Sequence, residues 1–161
     1  MELSDFLEDL MRSDFGKLFI ATLLTLPIAY NRERATHMMG LRTYPLVGLA
    51  TCSFVLIAQT FIGDNNGDAQ SRIVQGILAG IGFIGAGAIL KKEDKVLGTA
   101  SAASIWTTGA IGMAVAYARF DIALFVAVFN LLILYLVTPL KEQLSRREQA
   151  AQEEAQKEIE G

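Results

Sequence analysis

The sequence predicts an all-α fold, a polytopic membrane helix bundle with five transmembrane helices, its N-terminus outside and its C-terminus inside. Three observations predict it. Hydrophobic residues make up 52% of the 161-residue chain, whose mean hydropathy is +0.38. Five long stretches carry no charge at all: Leu18–Asn31, Thr43–Gly63, Ile73–Leu90, Val96–Ala118 and Ile122–Leu140. Lysines and arginines gather in every second connection between them.

The stretches run 14, 21, 18, 23 and 19 residues. A helix rising 1.5 Å per residue crosses a bilayer core in roughly 20 apolar residues. The four longer stretches meet that. The first meets it once Phe15, Gly16 and Lys17 are included, with Lys17 extending its ammonium to the interface. A soluble domain would need polar outer faces on its helices, and these stretches have none. That excludes a soluble enzyme. The net charge of −3 offers no basic patch for nucleic acid. The single cysteine, Cys52, has no partner for an internal disulfide, which excludes a secreted disulfide scaffold; inside the second span it reads as a small core residue.

Orientation follows from the basic residues. Arg32, Arg34, Arg42, Lys91, Lys92, Lys95, Lys141, Arg146, Arg147 and Lys157 fall on one side of an alternating five-span chain. Arg12, Lys17, Arg72 and Arg119 fall on the other. The richer side faces the cytoplasm. Five spans then put the acidic N-terminus outside and the C-terminus inside.

Outside the spans, residues 1–14 read as an amphipathic segment at the outer interface, with Leu3, Phe6, Leu7, Leu10 and Met11 at helical spacing and acids opposite. Residues 15–140 form the membrane domain. Residues 141–161 read as a charged cytoplasmic tail extending the last helix. Thr43 and Pro45 suit the cap and first turn of the second span, and Gly63 its end; Ser71 suits the cap of the third. Asp64-Asn65-Asn66-Gly67-Asp68 fails as a calcium loop, because its glycine falls at position four instead of six and no glutamate closes it. No cofactor or metal site is expected.

The third span holds Gly76, Gly80, Gly82, Gly85 and Gly87. At 100° per residue, Gly76, Gly80 and Gly87 share one side, with Gly82 and Gly85 roughly opposite. Two smooth faces predict a central helix packed on both sides; the functional alternative is a broken helix lining a substrate path. The fourth span carries a small, weakly polar stripe of Ser101, Ser104, Thr108 and Gly112. Trp106, a third of the way along, suits packing or an interface anchor. The fifth span is bulky with Leu124, Phe125, Phe129, Leu131, Leu132, Leu134 and Leu136, which suits a lipid-facing position, and its Asn130 should turn inward. At the inner rim stand Arg32, Glu33, Arg34 and then Gly40-Leu41-Arg42-Thr43. They form either a topology anchor, an Arg–Glu network between the first two spans, or an anion site made of Arg42 and the start of span two.

Ser71-Arg72-Ile73-Val74-Gln75-Gly76 leads into Gly80-Ile81-Gly82-Phe83-Ile84-Gly85-Ala86-Gly87-Ala88-Ile89-Leu90, with Gly40-Leu41-Arg42-Thr43 upstream and Ser101-Ala102-Ala103-Ser104-Ile105-Trp106 downstream. Over residues 16–138 this order and spacing resembles the membrane domain of the MgtC/SapB family. Ala29 and Asn31 stand where members often have a glycine and an acid. Gly98-Thr99-Ala100-Ser101 stands in place of Gly-Leu-Thr-Thr. The charged tail, with no soluble domain after the fifth span, resembles the short, membrane-domain-only members.

The resemblance implies a bacterial inner-membrane protein. Virulence-type members are linked to survival at low magnesium and inside host phagocytes. They act as regulators of membrane energetics, including the proton-driven ATP synthase, and not as magnesium transporters. The partners implied are the lipid bilayer and another membrane protein, ATP synthase-like or a transporter, with a homo-oligomer also open. Two functions stand: a non-enzymatic regulator working by helix contact, and a small oligomeric ion or solute channel or transporter. Transport paths usually need ionisable residues at membrane depth. The charge-free spans favour the regulator. An enzyme is disfavoured, since the only histidine, His37, lies in a polar loop.

Periplasm-active reporters fused after residue 66 or 119 are expected to be active, and those fused after residue 94 or 145 inactive. The opposite pattern would overturn the charge argument.

Overall fold

The computed structural model describes residues 3–36, 39–62, 66–92 and 95–137. The elements run α1 (Leu3–Arg12), α2 (Asp14–Thr36), α3 (Thr43–Phe61), α4 (Gly67–Gly87), β1 (Leu90–Lys92), β2 (Lys95–Leu97), α5 (Thr99–Ala116) and α6 (Phe120–Val137). The five charge-free stretches become α2 to α6. At 18 to 23 residues each, these helices are about 27–35 Å long, which matches a hydrocarbon core of roughly 30 Å. By length and apolar composition, α3 and α6 qualify as membrane-crossing helices.

Element ends differ from the expectation in instructive ways. Ser13 breaks α1 from α2. Its hydroxyl donates to the Leu10 carbonyl and accepts the Gly16 N–H, both at 3.1 Å, so it caps the longer helix. Asp5, Glu8 and Asp9 of α1 are exposed while Leu10 and Met11 are half-buried, as an amphipathic helix requires. The residue ahead of α3 is Arg42, which makes no side-chain cap; Thr43 is already helical. Asn66, not Ser71, caps α4: its Oδ1 accepts the Ala69 N–H at 3.2 Å, and the helix gains a turn and a half over the charge-free stretch. Gly63, His37 and the tail 141–161 lie outside the described residues.

The all-α expectation misses one element. An antiparallel hairpin pairs Leu90 with Leu97, Lys91 with Val96 and Lys92 with Lys95. It ends the third span at Gly87 instead of Leu90. Gly98 closes it at φ +85, a left-handed conformation that glycine adopts without penalty. A Cβ there would strike the Ala88 carbonyl.

The contacts between helices fix how they alternate. Gly85 lies against Ala102 and Gly109 against Ile81, so α4 and α5 are antiparallel. Ser104 meets Asn130, which sets α6 antiparallel to α5. Tyr44 reaches Ser101, so α3 and α5 start at the same end. That end also holds the close of α2, because Glu33 binds Leu41. Arg32, Arg34, Arg42 and the lysine-bearing hairpin therefore share one end of the bundle. Met11, Lys17, Ala118 and Phe120 line a cavity at the other.

The central helix is α5, not α4. Gly112 faces Gly48 of α3 so closely that an added Cβ would lie 2.5 Å from the Gly48 carbonyl oxygen and 3.0 Å from the Thr51 Cβ. On its other side, Gly48 meets the Thr25 methyl of α2. By contrast, a Cβ added at Gly76, Gly80, Gly82 or Gly87 would find nothing within 4 Å; only Gly85 of the five packs, against the Ala102 carbonyl. The expectation of two packed glycine faces on the third span is thus corrected. Its glycines leave an open surface, while two glycines of α5 carry the internal crossings.

The distribution of polarity is that of a protein in lipid. Thr25, Thr51, Ser101, Ser104, Thr108 and Asn130 are buried, whereas Phe15, Phe54, Phe83, Phe125 and Leu136 are well exposed. A water-soluble monomer rarely exposes so much contiguous apolar surface. On α6, Leu124, Phe125, Phe129, Leu132 and Leu136 point outward as expected, while Leu134 turns into the core.

Gly112→Leu is expected to lower the thermal unfolding midpoint in detergent, since overpacking costs about 1–3 kcal/mol. Gly80→Leu should change stability by less than about 0.5 kcal/mol. The reverse order would return α4 to the centre.

Candidate functional site

Two polar constellations sit within the bundle, and one smooth face lies outside it. The first constellation is at the basic end. Arg32, in the second-last turn of α2, is 3% exposed, and its guanidinium donates to the Asn31 Oδ1 at 3.2 Å. A cation suits this end of a helix, where unpaired carbonyls gather negative charge. Glu33 accepts the Leu41 N–H at 3.1 Å and lies across Gly40, where any Cβ would collide with it. Glu33 thereby fastens the α2–α3 connection. Arg34 lies over the Tyr30 ring at 5.5 Å.

Arg42 is exposed at the head of α3, and Thr43 beside it is half-buried. Deeper in, Tyr44 is fully buried and its hydroxyl donates to the Ser101 carbonyl at 3.1 Å. Tyr44 was not foreseen. The available signal was an aromatic hydroxyl just inside an apolar helix, which needs a partner when buried.

The second constellation lies between α5 and α6. Ser104 Oγ donates to Asn130 Oδ1 at 3.2 Å, and Asn130 Nδ2 donates to Thr107 Oγ1. Thr107 Oγ1 in turn donates to the Ser104 carbonyl at 2.9 Å, and Thr108 Oγ1 donates to the same carbonyl at 2.8 Å. The bonds close a ring through Ser104, Thr107 and Asn130. Asn130 is 7% exposed and turned inward, as its solitary polarity on α6 suggested. The stripe Ser101, Ser104, Thr108 and Gly112 is buried throughout. Thr107, one residue off the stripe, was missed. Beside the ring opens a cleft of about 290 Å³, walled by Phe125 and Phe129 with ring centroids 4.2 Å apart.

The third feature is the outer side of α4. Gly76 and Gly80 border an apolar groove of about 260 Å³ against Val47, Thr51 and Phe54 of α3. Arg72 is exposed on the same helix, a turn before Gly76. Trp106 is 52% exposed on α5, outside both constellations. Among the described residues, no three His, Cys, Asp or Glu side chains converge to hold a metal ion.

The comparisons with known proteins agree on one family. Residues 18–143 match the model of the MgtC family. The protein SrpB of Synechococcus elongatus is 36% identical over 129 residues, covering 73% of this chain and 71% of its own length. The "Putative magnesium transporter YhiD" of Escherichia coli K12 is 31% identical over 136 residues, covering 81% of this chain and 63% of its own. The protein MgtC of Brucella abortus is 32% identical over 117 residues, covering 73% of this chain and 48% of its own. The chain thus spans under two thirds of YhiD and about half of that MgtC. None of the three bears an enzyme's name. No solved structure matches.

Tyr44→Phe is expected to cost about 1 kcal/mol through its lost buried hydrogen bond. Arg42→Ala should be nearly silent, at less than about 0.5 kcal/mol. Thermal unfolding in detergent measures both; a larger loss for Arg42→Ala would mean that its side chain holds the rim.

Proposed function

The chain belongs to the MgtC family of membrane proteins, and from that premise we propose that it is a non-enzymatic regulator of the bacterial inner membrane. Helices α2 to α6 span the bilayer, with the N-terminus outside and the C-terminus inside. The protein acts on ion homeostasis and membrane energetics through contact with another membrane protein, in the setting of adaptation to low magnesium and survival in a host.

The observation that carries this reading is the outer side of α4. Glycines in a helix give up side-chain packing and backbone order; in lipid they repay it when another backbone comes close. Gly76 and Gly80 stand one turn apart, a Cβ added at either would meet nothing within 4 Å, and both border a groove shared with α3. That geometry fits a transmembrane helix from a second protein. The alternative, a small oligomeric ion or solute channel or transporter, draws support from the name of the Escherichia coli relative. It also draws support from the hydrogen-bonded ring of Ser104, Thr107 and Asn130 inside the bundle.

A photo-crosslinker at exposed Ile84, which borders the same groove, is expected to capture a different membrane protein in living cells, and one at exposed Leu132 to capture none. Gly80→Leu should remain folded, lose the crosslink and fail to support growth at low magnesium. Capture of a second copy alone would make the face a homo-oligomer contact. Selective flux of Mg²⁺, K⁺ or H⁺ by purified protein in proteoliposomes would overturn the regulator and establish the transporter.

A further inference from the structure

The end of the bundle away from the hairpin holds a cavity of about 420 Å³ between α1, the first turn of α2 and the α5–α6 turn. Its lining is of two kinds. Glu8, Arg12 and Lys17 bring charge, and Met11, Ala118 and Phe120 bring apolar surface. The volume is more than ten times the share of one water in the liquid, about 30 Å³, so there is room for more than a single ion.

Depth points to the occupant. Lys17 and Arg32 stand fifteen residues apart on α2, a rise of about 22 Å. The hydrocarbon core is roughly 30 Å thick, so at least one of the two positions lies inside it. Arg32 is enclosed by protein at its own end and donates to Asn31. Lys17 is only half-buried. Phe15, two residues nearer the helix start, is 86% exposed. An exposed phenyl ring at that level belongs beside lipid, so lipid extends past Lys17. A lysine there carries its ammonium up to the headgroup level, where the lipid phosphates lie. Among the described residues its ammonium makes no ion pair.

The neighbouring charges complete the site. Arg119, at the same end, is already engaged, donating twice to the Asp121 carboxylate at 3.1 and 3.0 Å. Arg12 donates to Glu8 at 3.5 Å, which uses one of its five N–H donors. Two cations and one carboxylate give the lining a net charge of +1. A phosphodiester carries a single negative charge, and the apolar half of the lining suits the glycerol and the first carbons of its acyl chains.

We propose that this cavity binds one phospholipid from the leaflet at its end of the bundle, with Lys17 and Arg12 on the phosphate oxygens and Met11 and Phe120 against the start of the acyl chains. Glu8 positions Arg12, and the lipid ties α1 to the α5–α6 turn. The proposal rests on α2 crossing the bilayer and not on which protein docks at α4. The reporter fusions after residues 66 and 119 test the crossing itself, so the two can fail separately.

Native mass spectrometry of the full chain in detergent tests the site, with dioctanoyl-phosphatidylglycerol, dioctanoylglycerol and inorganic phosphate as probes. The wild type is expected to bind one phosphatidylglycerol, and neither of the other two at the same concentration. Lys17→Met keeps the stem and removes the charge, and should weaken binding about fivefold; Arg12→Gln should do the same. Lys17→Arg should bind as the wild type does, and so should Lys91→Met, at an exposed position on the other end. Ala118→Asp serves if Lys17→Met does not fold. It lies on an exposed turn at φ +55, which aspartate accepts more readily than most residues, and its carboxylate cancels the net positive charge, so it too should weaken binding. Circular dichroism checks every variant. Failure of the wild type to bind phosphatidylglycerol would overturn the proposal, as would equal binding of dioctanoylglycerol. Inorganic phosphate binding as tightly as the lipid would make this a free-anion site and overturn it as well. So would undiminished affinity in folded Lys17→Met or Ala118→Asp.

Discussion

Everything in this bundle depends on how closely α3 and α5 cross at Gly48 and Gly112. Lipid tails are as apolar as leucine, so burying leucine between membrane helices gains little. Cohesion must come from backbone approach and from hydrogen bonds. The crossing supplies the first, since no side chain fits between Gly112 and the Gly48 carbonyl. Gly48 also receives Thr25 of α2 on its other flank. A single glycine thus brings three helices together. Around α5 the same logic recurs: Gly109 takes the side chain of Ile81 from α4, and Ser104 takes the amide of Asn130 from α6.

The bundle was legible where the physics of the solvent dominates. A helix in lipid must keep charges out, so five charge-free stretches translate into five long helices. A lone asparagine on an apolar helix must find a partner, and Asn130 does. The buried stripe of α5 was legible because hydroxyls in lipid also seek an internal acceptor; Thr108 finds it at the Ser104 carbonyl. The rim was legible only in part. Three arginines and a glutamate crowd one end, but charge alone does not say which of them is structural. Glu33 secures the Leu41 N–H, whereas Arg42 lies exposed.

What misled was glycine itself. A glycine-rich helix is smooth whether its partner lies inside the chain or beyond it, and composition does not separate the two cases. Span three has five glycines and a single internal contact, at Gly85; α5 has two, Gly109 and Gly112, and both are packed. The discriminating signal lay in the neighbours. The two glycines of α5 share their helix with Ser101, Ser104, Thr107 and Thr108, whose polar atoms must pack inward. The span of α4 from Ile77 to Gly87 holds only Ala, Ile, Leu and Phe besides its glycines, and such a helix already satisfies lipid. The hairpin was hidden for a similar reason. Its strands are three residues each and its lysines read as a cytoplasmic loop, although Leu90, Val96 and Leu97 flank them.

The arrangement divides the molecule into two sides with different chemistry. Along α5 and α6, polar groups are drawn inward and leave hydrogen-bonding capacity at the edge of an apolar cleft. Along α3 and α4, small residues leave a groove with no polar demand. A groove whose one hydroxyl, that of Thr51, already donates to the Val47 carbonyl discriminates by shape, which suits another helix whose ridges fit glycine gaps. The α5–α6 cleft instead carries the Asn130 amide with the Ser104 and Thr107 hydroxyls in its lining, so its chemistry differs from that of the glycine groove. Because α5 separates the two, a change at one side reaches the other only by moving the Gly112 and Gly109 contacts. The Gly109 contact is with the end of the flexible Ile81 side chain, which can give, whereas the Gly112 contact is with backbone, so the α3–α5 crossing leaves no space for a side chain and substitutions on either side that spare it can be made independently.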